Sequence, residues 1–239
     1  MPRFRDRDLV VESKPDLTPV TEADRAAETV LRARIEAERP GDGIVGEEYG
    51  ETEGTRDRRW ILDPIDGTKS FVRGIPAWGT LIALESEGEV VVGVVSAPAL
   101  RRRWWASRGR GAYADGEQIQ VSRVAAVEDA MFCYTSMVAF DEHGLGDQFR
   151  ALAARCWVAR GFSDYWAHVL VAEGSADIAA EPVMNLWDNA PLKVIVEEAG
   201  GRFTDLDGNA RIDGGSAVTT NGLLHDAVLE ALRRREGAT

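Results

Sequence analysis

The chain has 239 residues, and its 40 Asp and Glu outnumber its 28 Lys and Arg, which gives a formal charge of −12. A negative field of this size repels phosphates, so the composition excludes general binding to nucleic acids or anionic membranes. Cys133 and Cys156 form neither a disulfide framework nor a metal-binding spacing, and no apolar run is long enough to span a bilayer. We therefore expect a soluble cytoplasmic protein, in which clustered carboxylates can still bind cations.

The first strong helix signal begins at Thr21. Thr21 and Asp24 have the spacing of a capping box, and the segment from Ser13 to Val20, with two prolines, is typical of an extended lead-in. The helix is predicted to continue to Pro40-Gly41. Its apolar face is predicted to contain Ala23, Ala27, Val30, Leu31 and Ile35.

Several strands and two hairpins are predicted next. The hairpins have the turn dipeptides Glu87-Gly88 and Asp115-Gly116 between arms rich in β-branched and aromatic residues. The predicted strands are Gly43–Val45, Trp60–Leu62, Trp78–Glu85, Val90–Ala97, Arg102–Ser107 and the two arms within Gly111–Val121.

After about residue 124, strands and helices alternate. The predicted strands are Met131–Thr135, Cys156–Val158, Ala176–Ala180 and Ser216–Thr220. The predicted helices are Gly146–Arg155, Asp164–Glu173, Trp187–Ala199 and Leu223–Arg235. Together these patterns predict an α+β subdomain over residues 1–124 and an α/β subdomain over residues 125–239.

The segment Asp63-Pro64-Ile65-Asp66-Gly67-Thr68 carries the most chemical information. An apolar strand is predicted to end at Asp63, where proline stops the ladder, and Asp66-Gly67-Thr68 opens a new turn or short helix. Two carboxylates across such a turn can converge on one point, together with the Ile65 carbonyl. Oxygen-only ligands suit Mg²⁺ or Mn²⁺, and amides from Gly67 onward suit phosphate oxygens. The simpler interpretation is a helix cap and a turn.

Three further acidic segments could join this one. Glu47 and Glu48 follow a short strand, Asp188 begins an apolar helix, and Asp24 lies in the first turn of the first helix. Each also has a simpler interpretation: a solvated loop for the two glutamates, and helix capping for Asp188 and Asp24.

These motifs, in this order, resemble the inositol monophosphatase family of metal-dependent, lithium-sensitive phosphatases. The matching segments are TEAD at Thr21, GEE at Gly46, DPIDGT at Asp63, WD-x-A at Trp187 and EAGG at Glu198. The resemblance implies a layered α-β-α-β-α sandwich, a small phosphate monoester as substrate, and a homodimer as the usual form.

The resemblance also implies a role for each matching residue. One Mg²⁺ would be held by Glu47, Asp63 and the Ile65 carbonyl, and a second by Asp63, Asp66 and Asp188. Glu47 could reach a third, weaker ion through water. The remaining roles fall on the turn and the first helix: Thr68 and Asp24 would orient and deprotonate the attacking water, and the amides of Gly67 and Thr68 would bind the phosphate.

Within the family, the chain is most similar to the actinobacterial branch that hydrolyses L-histidinol phosphate in histidine biosynthesis. The stretches GFSDYWAHVLVAEGSADIAAEP and EEAGGRFTDLDG carry this likeness. Glu181 matches the family position that faces the substrate alcohol, and Asp164 lies beside Tyr165 and Trp166. We expect Glu181, Asp164 and Trp166 to bind an ammonium and an imidazole. A helix N-cap is the alternative for Asp164.

Other functions stay open at this point. Inositol 1-phosphate or a 3′-phosphorylated nucleotide could be the substrate of the same chemistry, and a non-catalytic cation-binding module would leave Thr68 and Asp24 without a task. The family normally has a further helix before the segment that begins near Leu9, where this sequence has MPRFRDRD. We therefore expect an apolar face that is exposed or used in dimerisation.

Overall fold

The computed structural model describes residues 3–6, 9–13, 19–162 and 164–233, and its main elements are two mixed β-sheets and seven helices. The helices are α1 Glu22–Glu38, α2 Thr68–Val72, α3 Met137–Glu142, α4 Gly146–Arg155, α5 Tyr165–Ala172, α6 Leu186–Glu198 and α7 His225–Leu232. The strands are β1 Val11–Ser13, β2 Pro19–Thr21, β3 Gly43–Gly46, β4 Gly50–Thr52, β5 Arg58–Asp66, β6 Gly79–Ser86, β7 Glu89–Ala97, β8 Arg102–Ser107, β9 Ala112–Ala114, β10 Glu117–Ile119, β11 Met131–Cys133, β12 Val158–Arg160, β13 Ile178–Glu181, β14 Arg202–Thr204 and β15 Ala217–Thr220.

The larger sheet has eight strands in the order β10-β9-β8-β7-β6-β5-β3-β4. Its neighbours are antiparallel except for β3 and β5, which run parallel. The smaller sheet has the order β12-β11-β13-β15-β14, with β11 parallel to both of its neighbours. The short strands β1 and β2 pair separately.

Helices cover both sheets. Helix α1 packs on β5, α5 and α6 fill the space between the sheets, and α4 and α7 cover the far side of the smaller sheet. The main core lies between the sheets, where Leu81, Val95 and Trp104 meet Tyr165 and Leu192. This arrangement confirms the predicted α-β-α-β-α sandwich. Helix α6 comes from the second half of the chain but packs on the sheet of the first half. The division at residue 124 stays a prediction.

Most predicted elements are present with small shifts. Both hairpin turns have the positive φ angles of their turn type, at Glu87-Gly88 (55° and 78°) and Asp115-Gly116 (50° and 98°). The strand predicted at Cys156–Val158 lies two residues further along the chain, where β12 begins at Val158. The elements β1, β4, α3 and β14 were not predicted. Residues 14–18 of the predicted lead-in and the last two residues of the predicted final helix lie outside the described residues.

The buried face of α1 contains Ala23 and Ile35 of the predicted apolar face, together with two carboxylates. Asp24, Glu28 and Ile35 are buried, whereas Val30 is 68% exposed. Val30 lines an open apolar groove with Ala26, Ala27 and Leu31. The helix therefore turns two carboxylates inward. No helix within the described ranges has the length and apolarity needed to cross a bilayer.

Candidate active site

The site begins at a bulge in β5. The strand does not end at Asp63, as the sequence predicted, but continues to Asp66, with a shift of register between the two residues. Asp63 pairs with Leu81 and Asp66 with Gly79, because Pro64 has no N–H to donate to the ladder. In a regular strand residues three apart point to opposite faces, so the bulge is what allows Asp63 and Asp66 to converge.

The turn after Asp66 requires glycine. Gly67 has φ 81° and is the N-cap residue of α2. A Cβ atom there would lie 2.9 Å from the Ala77 carbonyl oxygen and 3.2 Å from Asp164 Oδ2. Both the backbone conformation and the close approach of Asp164 therefore exclude a larger side chain. The amides of Gly67 and Thr68 lie at the beginning of this short helix, directly after the acidic cluster.

Three aspartates form a cluster at this point. One carboxylate oxygen each from Asp63, Asp66 and Asp188 lies within 4.8 Å of the others. Asp63 is buried, and its Oδ1 has no hydrogen-bond partner among the described residues. No ion pair within the described part of the chain joins any of the three to Lys or Arg. A buried carboxylate oxygen without a donor, inside an all-oxygen set, fits a hard divalent cation.

The pKa values of these groups reflect their crowding. Burial raises the pKa of Asp63 well above its usual value, and the charges of Glu47, Asp66 and Asp188 raise it further. Burial likewise raises the pKa of Asp66, followed by the charges of Asp164 and Asp188. The pKa of Asp188 is raised mainly by burial and to a lesser degree by Glu47. Glu47 thus lies near all three aspartates, and the cluster cannot be fully ionised without a large electrostatic cost.

Asp188 and Asp24 both cap helices, as the simpler interpretation of each predicts, and both also lie at the site. Asp188 accepts a hydrogen bond from the Asn185 amide (2.8 Å) at the beginning of α6. Asp24 accepts from the Thr21 amide (2.8 Å) and hydroxyl (2.5 Å) with one oxygen. Its other oxygen lies 3.4 Å from the Thr68 hydroxyl. The caps hold one oxygen of each carboxylate, so the other can face the site.

Thr68 connects the first helix to the bulge. Its hydroxyl donates to the Ile65 carbonyl (3.0 Å) as well as facing Asp24. Burial is the main cause that raises the pKa of Asp24, while its bonds from Thr21 oppose the shift. A carboxylate of raised basicity beside a hydroxyl is an arrangement that can accept a proton.

A second pair of carboxylates lies beside the first cluster. Glu181 is 3% exposed, and burial raises its pKa to about 8, with a smaller contribution from the charge of Asp164. Thr135 joins the two residues, because its hydroxyl donates to Glu181 (2.6 Å) and accepts from the Asp164 amide (2.9 Å). The adjacent Tyr165 amide donates to Asp66 (2.6 Å), so this loop connects both acidic groups.

Asp164 has an unusual backbone. It precedes α5 with φ 58° and ψ −148°, a region that is nearly reserved for glycine, and its side chain makes no capping hydrogen bond. Asp164 therefore occupies the predicted N-cap position of α5, but its side chain does not cap the helix. Strain of this kind persists where the surroundings impose it, and here they hold the carboxylate against the Gly67 turn.

The aromatic residues near the site differ in their surroundings. Trp166 is partly buried, packs on the main core and pairs with Phe162 at a centroid distance of 5.3 Å. Its predicted contact with substrate stays a prediction. Trp78 is buried against Phe71 and Phe4 in a small core.

Sequence reasoning missed Thr135, the Tyr165 amide and Glu28. Thr135 and Tyr165 have no local signal, because their partners lie 46 and 99 residues away. Glu28 does have a local signal in the sequence, because it lies one helical turn after Asp24, on the same face of the helix.

Known proteins match this chain over nearly its whole length. A model of the inositol monophosphatase family matches residues 1–236. A histidinol-phosphatase of Mycobacterium tuberculosis is 53% identical over 235 residues, covering 96% of this chain and 90% of the relative. One from Streptomyces coelicolor is 48% identical over 244 residues, covering 98% and 91%. The solved structure of a Thermotoga maritima IMPase matches with a TM-score of 0.85 at 35% identity, covering 93% of this chain and 87% of that one.

Proposed function

This chain belongs to the inositol monophosphatase family, and from that premise we propose that it hydrolyses L-histidinol phosphate to L-histidinol and phosphate with Mg²⁺. It is a phosphoric monoester hydrolase of a metal-dependent family. The observation that carries the proposal is the neighbourhood of two acidic groups, the aspartate cluster and the Glu181–Asp164 pair, joined through one loop. Their chemistry suits the two ends of a substrate that carries a phosphate and an amine.

The aspartate cluster is the proposed metal site. Asp63, Asp66 and Asp188, with Glu47 and the Ile65 carbonyl, supply the oxygen ligands that Mg²⁺ prefers, and Mn²⁺ would also be accepted. When bound, two or three such ions would neutralise the phosphate charge, activate water and stabilise the leaving alkoxide. The unpartnered Asp63 oxygen supports this assignment. A cationic centre also explains how an acidic chain can bind an anionic substrate.

Thr68 and Asp24 are the proposed proton acceptors. The Thr68 hydroxyl would orient the attacking water and take a proton from it as its own proton moves to Asp24, whose raised pKa favours that transfer. Thr21 would keep Asp24 in place through its two hydrogen bonds. The amides of Gly67 and Thr68 would hold phosphate oxygens at the beginning of α2.

Glu181 and Asp164 are the proposed residues for the other end of the substrate. Glu181 lies inside the protein with a pKa of about 8, so it would ionise when an ammonium group approaches. Asp164 would bind the second cationic group, and Trp166 would contact the imidazole ring. Inositol phosphate has no cation to pair with these carboxylates.

We further propose that the protein acts as a cytoplasmic homodimer. The unpaired thiols of Cys133 and Cys156 agree with a reducing compartment. Size-exclusion chromatography with light scattering tests the dimer, and a monomer at micromolar concentration would refute it.

A phosphate-release assay tests the function. The panel contains L-histidinol phosphate, inositol 1-phosphate and a 3′-phosphorylated nucleotide, each with Mg²⁺ and with EDTA. We expect the highest kcat/KM for histidinol phosphate and no turnover in EDTA. The variant Asp164→Ala should lower kcat/KM for histidinol phosphate more than for the other two substrates. Equal turnover of inositol phosphate by the wild type would refute the substrate, and turnover in EDTA would refute the metal.

A further inference from the structure

Glu28 is a buried carboxylate that the proposed reaction does not use directly. It lies in α1, one turn after Asp24, and its exposed fraction is 0%. A buried carboxylate is destabilising unless hydrogen bonds and a cation compensate for its lost hydration. Its partners therefore indicate what this residue does.

Those partners lie in the turn between β3 and β4. Glu28 Oε2 accepts from the Glu48 amide (2.8 Å), and Oε1 accepts from the Tyr49 amide (3.3 Å). Gly46 passes so close that a Cβ atom there would lie 2.0 Å from Glu28 Oε1. The residue between these contacts is Glu47, whose amide donates to the Leu62 carbonyl of β5 (3.2 Å).

Arg32 completes the arrangement. Its Nε donates to Glu28 Oε1 (2.8 Å), and the ion pair is largely excluded from water. The same guanidinium donates to the Thr52 hydroxyl (3.1 Å) and to the Gly50 carbonyl. The turn between β3 and β4 is thus hydrogen-bonded to the Glu28–Arg32 pair of α1, and β3 before it pairs with β5.

The turn held in this way carries Glu47, an acidic residue close enough to the aspartate cluster for its charge to act on it. The charge of Glu47 raises the pKa of Asp63, which lies at the bulge of β5. Glu47 has no regular strand of its own to fix it, since it lies between β3 and β4. Its approach to Asp63 therefore depends on what anchors the turn.

We propose that Glu28 is a positioning residue, which holds the turn at 46–50 so that Glu47 can complete the metal site. This inference rests on the proposed function, because it assigns a task toward the same cation. Residues behind metal ligands commonly change metal affinity about 10- to 100-fold when they are replaced. A residue that only stabilised the fold would change the melting temperature without changing the metal requirement.

The test compares Glu28→Gln with Glu85→Gln. Glu85 is a matched control, because it is also a carboxylate paired with arginine: it is partly buried and accepts two hydrogen bonds of 3.0 Å from Arg59. Each protein is titrated with Mg²⁺ in the absence of substrate, and the melting temperature is followed. We expect the Mg²⁺ midpoint of Glu28→Gln to rise about 10-fold or more. The midpoint of Glu85→Gln should match the wild type.

Kinetics give a second reading of the same variant. At saturating Mg²⁺ the kcat of Glu28→Gln should approach that of the wild type, and its substrate KM should be unchanged. A loss that excess Mg²⁺ does not recover, or a Mg²⁺ midpoint no higher than that of Glu85→Gln, would overturn the positioning role. If the Mg²⁺ midpoint of Glu28→Gln is unchanged while the wild type still hydrolyses histidinol phosphate, the positioning role is wrong and the proposed function stays intact. A wild type that shows no response to Mg²⁺ would refute both the proposed function and the positioning role.

A measurement on the wild type keeps the inference testable if Glu28→Gln fails to fold. Amide hydrogen exchange of the metal-free protein should show protection at Glu48 and Tyr49, because a buried carboxylate accepts from both amides. The exposed Gly88 of the hairpin turn between β6 and β7 provides the unprotected reference. Exchange at Glu48 and Tyr49 as fast as in that turn would overturn the proposal.

Discussion

The replacement Glu181→Gln should make the protein more stable and a poorer histidinol phosphatase. Glu181 is buried, and its pKa of about 8 lies far above its ordinary value of 4.5. The folded protein therefore holds a proton there that the unfolded chain releases between pH 4.5 and 8, so stability falls as pH rises through this window. Glutamine is isosteric, keeps an oxygen to accept from Thr135, and does not titrate.

The magnitude follows from the shift. A rise in pKa from 4.5 to about 8 corresponds to about 5 kcal/mol over the full window. Between pH 6 and pH 8 the stability advantage of Glu181→Gln over the wild type should grow by about 2 kcal/mol. Urea denaturation of the metal-free proteins at pH 6, 7 and 8 measures this difference. Glu87→Gln, in an exposed turn, serves as the control and should show no such growth.

Activity should move in the opposite direction. A hydrogen bond to a charged partner contributes about 1.5–3 kcal/mol, so kcat/KM for histidinol phosphate should fall about 10- to 100-fold. Turnover of inositol phosphate should change little, since that substrate has no ammonium group. A stability advantage that is the same at pH 6 and pH 8 would refute the burial argument. An equal loss for both substrates would refute the substrate contact.

Three further predictions concern the metal site and the loop that Glu198 binds. Asp63→Asn should lower phosphate release by more than about 100-fold while raising the melting temperature of the metal-free protein, because one of the repelling charges is removed; unchanged hydrolysis would contradict the assignment. The rise in melting temperature produced by Mg²⁺ should be larger at pH 8 than at pH 6, since protons compete for carboxylates whose pKa is raised; the reverse trend would contradict it. Glu198→Gln should lower stability by about 1–3 kcal/mol with kcat unchanged, because Glu198 accepts from the amides of Gly109, Arg110 and Gly111; equal denaturation midpoints would argue against this clamp.

The sequence by itself determined the features that depend on neighbouring residues. The capping box at Thr21 and Asp24, the two hairpin turns and the boundaries of α4 follow from interactions within a few positions of the chain. The acidic motifs could be found for the same reason, because each is a short run of fixed residue types. Their order along the chain identified the family and, with it, the layered fold.

Only the tertiary structure decided how those motifs meet. The bulge that turns Asp63 and Asp66 toward one point depends on the pairing of β5 with β6, and the inward position of Glu28 depends on the turn it binds. The strained backbone of Asp164 is imposed by contacts with Thr135 and the Gly67 turn, which are distant in sequence. Helical periodicity placed α1 correctly and predicted the burial of Ala23 and Ile35, but it missed the buried Asp24 and Glu28. Periodicity counts hydrophobic residues and cannot register a carboxylate whose burial is compensated by partners elsewhere in the chain.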